Sequence, residues 1–513
     1  MKTDKYTTTS AARRRFLQTT GVAAGAALGG LALPRSAEAA AAPLPKKWDT
    51  TTDVVVVGSG FAGLAATIEA RDAKADVVVI EKMPVPGGNS AINGGDFGAA
   101  GTPMQKAAGI EDSPELMFKD MMRAGGYLNH PELARTVAEQ SAAALEWSQN
   151  YVGAQFDRVN FHGGHSVKRA HQTVQRSGSG LVTKQLEKAR VLGAKIELRT
   201  KLTRLVADKD GRIVGVEVRR GYRFPDEASG TVAFIKARKA VVLASGGFSN
   251  DVKLRQIYDP RLTDQFTSTN QPGATGEAIM AACMAGAMDL QMDWIQLGPW
   301  TSPDEKGFGY VPQFVERVVG YGVMVDPATG KRFFKESGNR KERADAIILL
   351  GHPALILADS TNTTKMVDPG QLKGALENGS LKKFDTLEDL ARGYNMPVEV
   401  FVEQVKRWNG FVEQKKDPDL DCMIFKDAVA NVTPPFYAAR LWPRVHHTMG
   451  GLAINKQAQV IGFELKPLKG LYAAGEATGG VHGAVRLGSC AMADCVVFGR
   501  IAGRNAAAEK AWG

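Results

Sequence analysis

The 513-residue chain exceeds the size at which one hydrophobic core keeps growing, so two domains are expected. Its 44% hydrophobic and 23% charged residues exclude a disordered or collagen-like chain. The formal charge of +10 comes from scattered basic residues with no DNA- or RNA-binding module, which excludes nucleic acid as the expected partner.

Residues 1–39 read as an export signal. Ala12-Arg13-Arg14-Arg15-Phe16-Leu17-Gln18 matches the twin-arginine pattern, an apolar stretch follows over residues 21–33, and Ala37-Glu38-Ala39 offers small residues for cleavage. That stretch is too short to span a bilayer, so a periplasmic protein without stable membrane insertion is expected. Twin-arginine export carries folded proteins, so a cofactor loaded before export is expected as well.

After a Pro-containing linker, Thr52-Asp53-Val54-Val55-Val56-Val57 predicts a strand, and Gly58-Ser59-Gly60-Phe61-Ala62-Gly63 predicts a tight turn. A helix over residues 64–73 and a second strand over residues 76–80, ending on Glu81, complete a βαβ unit. In that context the glycines let a pyrophosphate approach the helix N-terminus, and the acid ending the second strand accepts a ribose hydroxyl. No second fingerprint of this kind occurs, so a nicotinamide cofactor is not expected.

Pro86-Gly87-Gly88-Asn89-Ser90 with Asn93-Gly94-Gly95 reads as a loop too glycine-rich for a packed element. Helices are expected over residues 114–151 and, after Ser177-Gly178-Ser179-Gly180, through Val191. Strands are expected over residues 196–199, 202–208 and 213–220, with a turn at Asp210-Gly211. Lys239-Ala240-Val241-Val242-Leu243-Ala244 predicts a strand running into Ser245-Gly246-Gly247. From about Trp294 to His447 this rhythm gives way to amphipathic helices over residues 387–393 and 398–411 joined by polar loops. The four cysteines, Cys283, Cys422, Cys490 and Cys495, form neither a zinc pattern nor a Cys-x-x-Cys-His haem motif, so no metal site is expected. Cys490 and Cys495 fit a bridge or two buried thiols equally well.

The C-terminal part carries His446-His447-Thr448-Met449-Gly450-Gly451, then Gly475-Glu476-Ala477-Thr478-Gly479-Gly480 and Val481-His482-Gly483-Ala484-Val485-Arg486-Leu487-Gly488. Glycine-dense backbone of this kind can press against a planar ligand. With the βαβ unit, this cassette resembles the fumarate reductase and succinate dehydrogenase flavoprotein family, especially its soluble flavocytochrome c branch, over roughly residues 52–506. The resemblance implies an α/β fold: a Rossmann-like FAD-binding domain, with a parallel sheet and β-meander, over residues 48–293 and 448–513, interrupted by an α+β capping domain over residues 294–447. It also implies non-covalent FAD held by Gly58, Gly60, Phe61, Ala62, Gly63, Glu81, Lys82, Gly88, Asn89, Ser90, Gly94, Gly95, Ala244, Gly246, Thr275, Gly276, Gly475, Glu476, Arg486 and Ser489.

Matched residue by residue, His447 and Arg486 look like the family's grip on a substrate carboxylate, and Arg340 like its proton donor, with Arg343 as a rival in register. Arginine pairs a carboxylate bidentately, and a developing carbanion is basic enough to take its proton. Glu316 falls where the family's reprotonating acid stands. The outer arginine of that relay is replaced by Val319, leaving Arg317, Lys341 or water to deliver the proton. At the substrate's far end the family has a histidine in a Gln-x-His-Pro context and a threonine, where this chain has Gln296-Leu297-Gly298-Pro299 and Val315. Gly298 and Val315 offer a second carboxylate no side-chain partner, and leaving one unpaired costs several kcal/mol. Trp294, Trp300, Phe308, Tyr310 and Phe314 surround this gap, with Trp300 expected to contact substrate.

These residues lead to an expected reductase of a small anionic α,β-unsaturated carboxylate of acrylate, methacrylate or cinnamate type, serving as a respiratory enzyme. Electrons come from a separate donor of c-type cytochrome character. The alternatives are a fumarate or urocanate reductase with an altered second-carboxylate site, a ketosteroid dehydrogenase-like relative, and a flavin electron-transfer protein without turnover.

Overall fold

Val54 to Val57 are β-branched and buried, which suits a central strand covered on both faces. In the computed structural model, which describes residues 44–512, they lie in β1 (Thr50–Val57). The twin-arginine segment 1–39 lies outside the described residues. After β1 come α1 (Phe61–Asp72), β2 (Val77–Ile80), β3 (Asp96–Gly98), β4 (Lys195–Glu197) and β5 (Thr231–Leu243). The chain continues through β6 (Ile295–Gly298), α2 (Val311–Val318), α3 (Arg340–Leu350), β7 (Arg444–Thr448), β8 (Pro467–Ala473) and α4 (Cys490–Ala508).

The main sheet runs β8-β5-β1-β2-β4 in parallel, with Gln459–Ile461 added antiparallel at the β8 edge. The expected α/β fold with a parallel sheet is therefore present. So is the meander: Thr200–Ala207 and Ile213–Arg220 pair antiparallel, and the latter pairs with the first half of β5. β5 starts eight residues before the position expected from its apolar run. Residues 233–238 alternate buried and partly exposed and so serve the meander, while the fully buried end serves the parallel core. Residues 88–92, expected as loop, form a short helix.

Helix α4 lies on α1 at very close range. A Cβ on Gly499 would stand 2.5 Å from the Ala62 carbonyl oxygen, and one on Gly503 would stand 2.2 Å from that of Ala66. This contact seats the turn that precedes α4, with Arg486 and Ser489, beside the N-terminus of α1.

Residues 294–447 hold a five-stranded antiparallel sheet that was not expected: Lys331–Arg332, Val323–Asp326, Ala354–Ala358, Phe436–Leu441 and Lys382–Phe384, in that order. Short apolar runs such as Ala354–Ala358 fit a buried helix segment as well as a strand, so pattern alone does not reveal them. The expected helices are present as Leu387–Gly393 and Val398–Gln414. β6 and β7 pair antiparallel, with Gln296 opposite His447 and Gly298 opposite Arg444. Among the described residues no helix is long and apolar enough to cross a membrane.

Candidate active site

The turn after β1 is built for close approach. Gly58 has φ +102°, and a Cβ there would lie 2.3 Å from the Ala244 carbonyl oxygen. Gly60 caps α1 without a side-chain hydrogen bond; Ser90 Oγ accepts from the Phe61 N–H at 3.0 Å, while the next N–H groups of the first turn stay open beside a cleft of about 890 Å³. Glu81 borders that cleft at the end of β2, where one of its oxygens accepts from Ser59 Oγ at 2.6 Å. A Cβ on Gly88 or Gly246, both with positive φ, would meet no atom within 4 Å, and both residues line the cleft. Open helix N–H groups, a terminal acid and glycine-floored walls fit the pyrophosphate, ribose and flat ring of FAD.

Gly60, Phe61, Ala62, Lys82, Asn89, Ser90, Ala244, Thr275 and Glu476 also line this cleft, as expected. Gly94, Arg486 and Ser489 line an adjoining cleft, and four expected cofactor residues line neither, because each packs against protein instead. A Cβ on Gly63 would meet the Gly58 carbonyl oxygen at 2.0 Å, one on Gly95 would meet Thr173 Oγ1 at 2.4 Å, one on Gly276 would meet Leu254 at 2.3 Å, and one on Gly475 would meet Cys495 Sγ at 2.8 Å. These glycines support the cradle from behind. Gln271 and Lys201 line it and escaped sequence reasoning, since neither lies in a recognisable motif.

A second cleft of about 940 Å³ shares Phe61, Asn89, Ser90, Glu476 and Cys495 with the first, so the two are continuous. Arg340, His447, Arg486, Glu316, Gly94 and Ser489 line it. Arg340 opens α3, whose Asn339 cap and Glu342 form a reciprocal capping box. Arg343, one turn on, faces away from the cleft and holds Glu316 at 2.7 Å, which separates the two register rivals. Lys341 pairs with Asp345, and Val319 is buried in the core.

Arg340 and Arg486 are 5% and 4% exposed, and neither forms an ion pair among the described residues. Arg340 Nη1 donates one long bond to Gln296 Oε1 at 3.4 Å, while Gln296 Nε2 donates to the Arg486 carbonyl at 2.8 Å. Arg486 Nη1 donates to the Leu487 carbonyl, and its Nε has no partner. Burial, and then the charge of Arg486, push the Arg340 guanidinium down to about 9. Arg486 is lowered by burial as well. Burial followed by Arg486 also pushes His446 and His447 well below the ordinary imidazole range, so both are neutral at pH 7. Burial raises Glu476 to about 7 against the opposing Thr448 N–H and Arg486, and Glu476 Oε1 lies 3.4 Å from His447 Nδ1. For Glu316 burial acts upward, but Arg343, His162 and Arg340 outweigh it and hold the carboxyl well below its usual range.

Gly298 and Val315 do not line the cleft. A Cβ on Gly298 would fall 1.3 Å from the Trp300 ring, so the indole occupies the space that a side chain at 298 would need. Val315 is buried behind it, packed with Trp300 and Phe314. Trp300 does line the cleft, with the Arg340 guanidinium 4.9 Å from its ring and His446 edge-on at 4.5 Å. Of the other aromatics only Phe308 joins it; Phe314 is core, Tyr310 is exposed, and Trp294 stands off the lining. His162, Asp96 and His446 line the cleft too. The Phe161-His162-Gly163-Gly164-His165 stretch repeats the histidine-glycine texture of residues 446–451 and was the available signal for His162. Cys490 and Cys495 are free thiols, and Cys495 borders both clefts.

The arrangement binds a planar redox group and places beside it two unpaired cations, two neutral imidazoles and an aromatic wall. A family model described as "FAD binding domain" matches residues 53–492. The chain is 39% identical over 498 residues to the acrylate reductase flavoprotein subunit of Shewanella woodyi, covering 96% of this chain and 97% of that protein. It is 34% identical over 482 residues to the urocanate reductase of Eggerthella lenta, covering 92% of this chain and 77% of that protein. Among solved structures, the open conformation of a flavocytochrome c3 fumarate reductase superposes with a TM-score of 0.70 at 36% identity, over 90% of this chain and 78% of that one.

Proposed function

From a chain that belongs to the FAD-binding fumarate reductase-type flavoproteins, and is therefore an FAD-dependent oxidoreductase acting on C=C bonds, we propose a reductase of small α,β-unsaturated monocarboxylates of the acrylate class. The observation that carries this reading is the pair of buried, unpaired guanidiniums of Arg340 and Arg486 beside a far wall closed by Trp300. A buried cation without a counter-ion is costly, and one substrate carboxylate relieves that cost.

In this proposal Arg486 and His447 grip the carboxylate, and His447 donates as a neutral imidazole. FAD, bound non-covalently, supplies the hydride to Cβ when reduced. Arg340 stabilises charge building at Cα and then donates its proton there. Trp300 and Phe308 receive the apolar end of the substrate. A second carboxylate has no cation waiting at Gly298, which disfavours fumarate.

The test is a panel of acids with reduced methyl viologen as donor. Acrylate or methacrylate is expected to give the highest kcat/KM, above cinnamate, urocanate and fumarate. Fumarate at the head of that ranking would overturn the reading.

Export by the twin-arginine route and electron supply by a separate c-type cytochrome belong to the same proposal. Their support is Arg13-Arg14-Arg15-Phe16-Leu17 and the absence of a haem-attachment motif from this sequence. Mass spectrometry of the periplasmic protein is expected to find cleavage after Ala39; an uncleaved cytoplasmic form would count against export.

A further inference from the structure

His162 sits in the loop after the strand Phe156–Asn160, 7% exposed, where Gly488 makes room for it: a Cβ at 488 would fall 2.6 Å from His162 Nδ1. Its two ring nitrogens lie nearest different carboxylates, and neither has a formed hydrogen bond. Nδ1 lies 3.3 Å from Glu316 Oε2 on α2, and Nε2 lies 3.6 Å from Asp96 Oδ2 on β3. Each carboxylate already has its own arginine. Arg343 on α3 holds Glu316 at 2.7 Å, and Arg317 on α2 reaches Asp96 at 3.5 Å. Arg340 and Arg486 complete the charged groups around the ring, and His165 on the same loop is occupied by the Gly488 carbonyl and Arg169.

Two carboxylates and two arginines balance without any charge on His162. The imidazole is therefore not required as a fixed counter-ion, and its placement between two acids needs another explanation. An imidazole can accept a proton on one nitrogen and release one from the other without turning. Asp96 continues the row: its Oδ1 accepts from Asn160 Nδ2 at 3.1 Å, and Asn160 is half-buried. Of the side chains expected to deliver the proton, Lys341 is tied to Asp345 and Arg317 to Asp96.

We infer that His162 passes protons from Asp96 to Glu316 and so restores the proton that Arg340 gives up in each turnover, a positioning and relay role that replaces the outer arginine lost at Val319. Each cycle is balanced. One proton enters at Asp96, one crosses the imidazole, one passes from Glu316 to the neutral Arg340 guanidine, and one has left Arg340 for the substrate carbon. The inference rests on the proposed reading of Arg340 as proton donor.

The two readings separate in time. The first turnover of the reduced, FAD-loaded full chain uses the proton already on Arg340, whereas later turnovers need the relay. In His162→Gln, acrylate should reoxidise the reduced flavin in a single turnover within about twofold of the unsubstituted rate, while steady-state kcat with saturating reduced methyl viologen falls by about 10- to 100-fold. Added imidazole should restore kcat, and the solvent deuterium effect on kcat should rise. Asp96→Asn, a second variant in case the first fails to hold FAD, should give the same split between phases. Equal slowing of both phases would place His162 in substrate binding or chemistry and overturn the relay, as would no slowing in either. If instead the unsubstituted reduced protein is not reoxidised by acrylate or any other enoate, it is the proposed function that fails.

Discussion

Replacing Arg340 with alanine is expected to lower kcat for the preferred enoate by about 10³-fold while leaving the flavin bound. Arg340 borders only the second cleft, so the FAD cradle from Gly58 to Ala62 is untouched. Arg340→Lys should recover little, because a lysine ammonium lacks the planar fork that lies over Trp300 and reaches Gln296. The pH dependence has a definite sign. The donor must carry its proton, and burial with Arg486 brings it to about 9. The kcat/KM profile should therefore hold on the acid side of that value and fall as pH rises through it. Removing an unpaired buried charge should also raise the melting temperature of the apoprotein. A variant that is more stable, flavin-loaded and inactive would separate loss of chemistry from loss of fold; retained turnover would remove Arg340 as the donor.

The second large effect concerns selectivity. Gly298→His alone has no room, since even its Cβ would overlap the Trp300 ring, and it should lose activity toward every acid. Paired with Trp300→Ala, the new histidine gains the vacated space and offers a partner to a second carboxylate. The ratio of kcat/KM for fumarate over acrylate should then rise by about 10²-fold, the scale of one hydrogen bond to a buried charge. Trp300→Ala by itself should admit bulkier enoates such as cinnamate. A folded, FAD-loaded double variant with an unchanged ratio would show that the far wall does not set substrate choice.

How much of this was legible depends on how local each signal is. The βαβ unit could be read because its glycines meet neighbours a few residues away or at a strand end with a pattern of its own; Gly58, Glu81 and Gly246 all stand where expected. The Arg340 and Arg343 ambiguity could not be resolved in one dimension. Two arginines a turn apart share a helix face until the surroundings of each are known; here Arg343 holds Glu316 while Arg340 lines the cleft. The gap at Gly298 was visible, but its occupant was not, because the Trp300 ring folds back onto a residue two positions earlier in an irregular ribbon. His162 had only its histidine-glycine texture to mark it, because both its partners lie on elements remote in sequence. The sheet of residues 323–441 escaped because strands such as Ala354–Ala358 are buried on both faces and show no alternation.

The capped start of α3 has a mechanical consequence. Arg340 and Arg343 ride on one rigid turn, so any tilt of this helix carries the proposed donor together with the arginine that holds Glu316. Arg486 belongs to the turn before α4, on the other side of the cleft. Widening the cleft separates the two guanidiniums and eases their repulsion, making Arg340 a weaker acid; narrowing it does the reverse. The spacing between the two elements therefore sets how strong an acid Arg340 is.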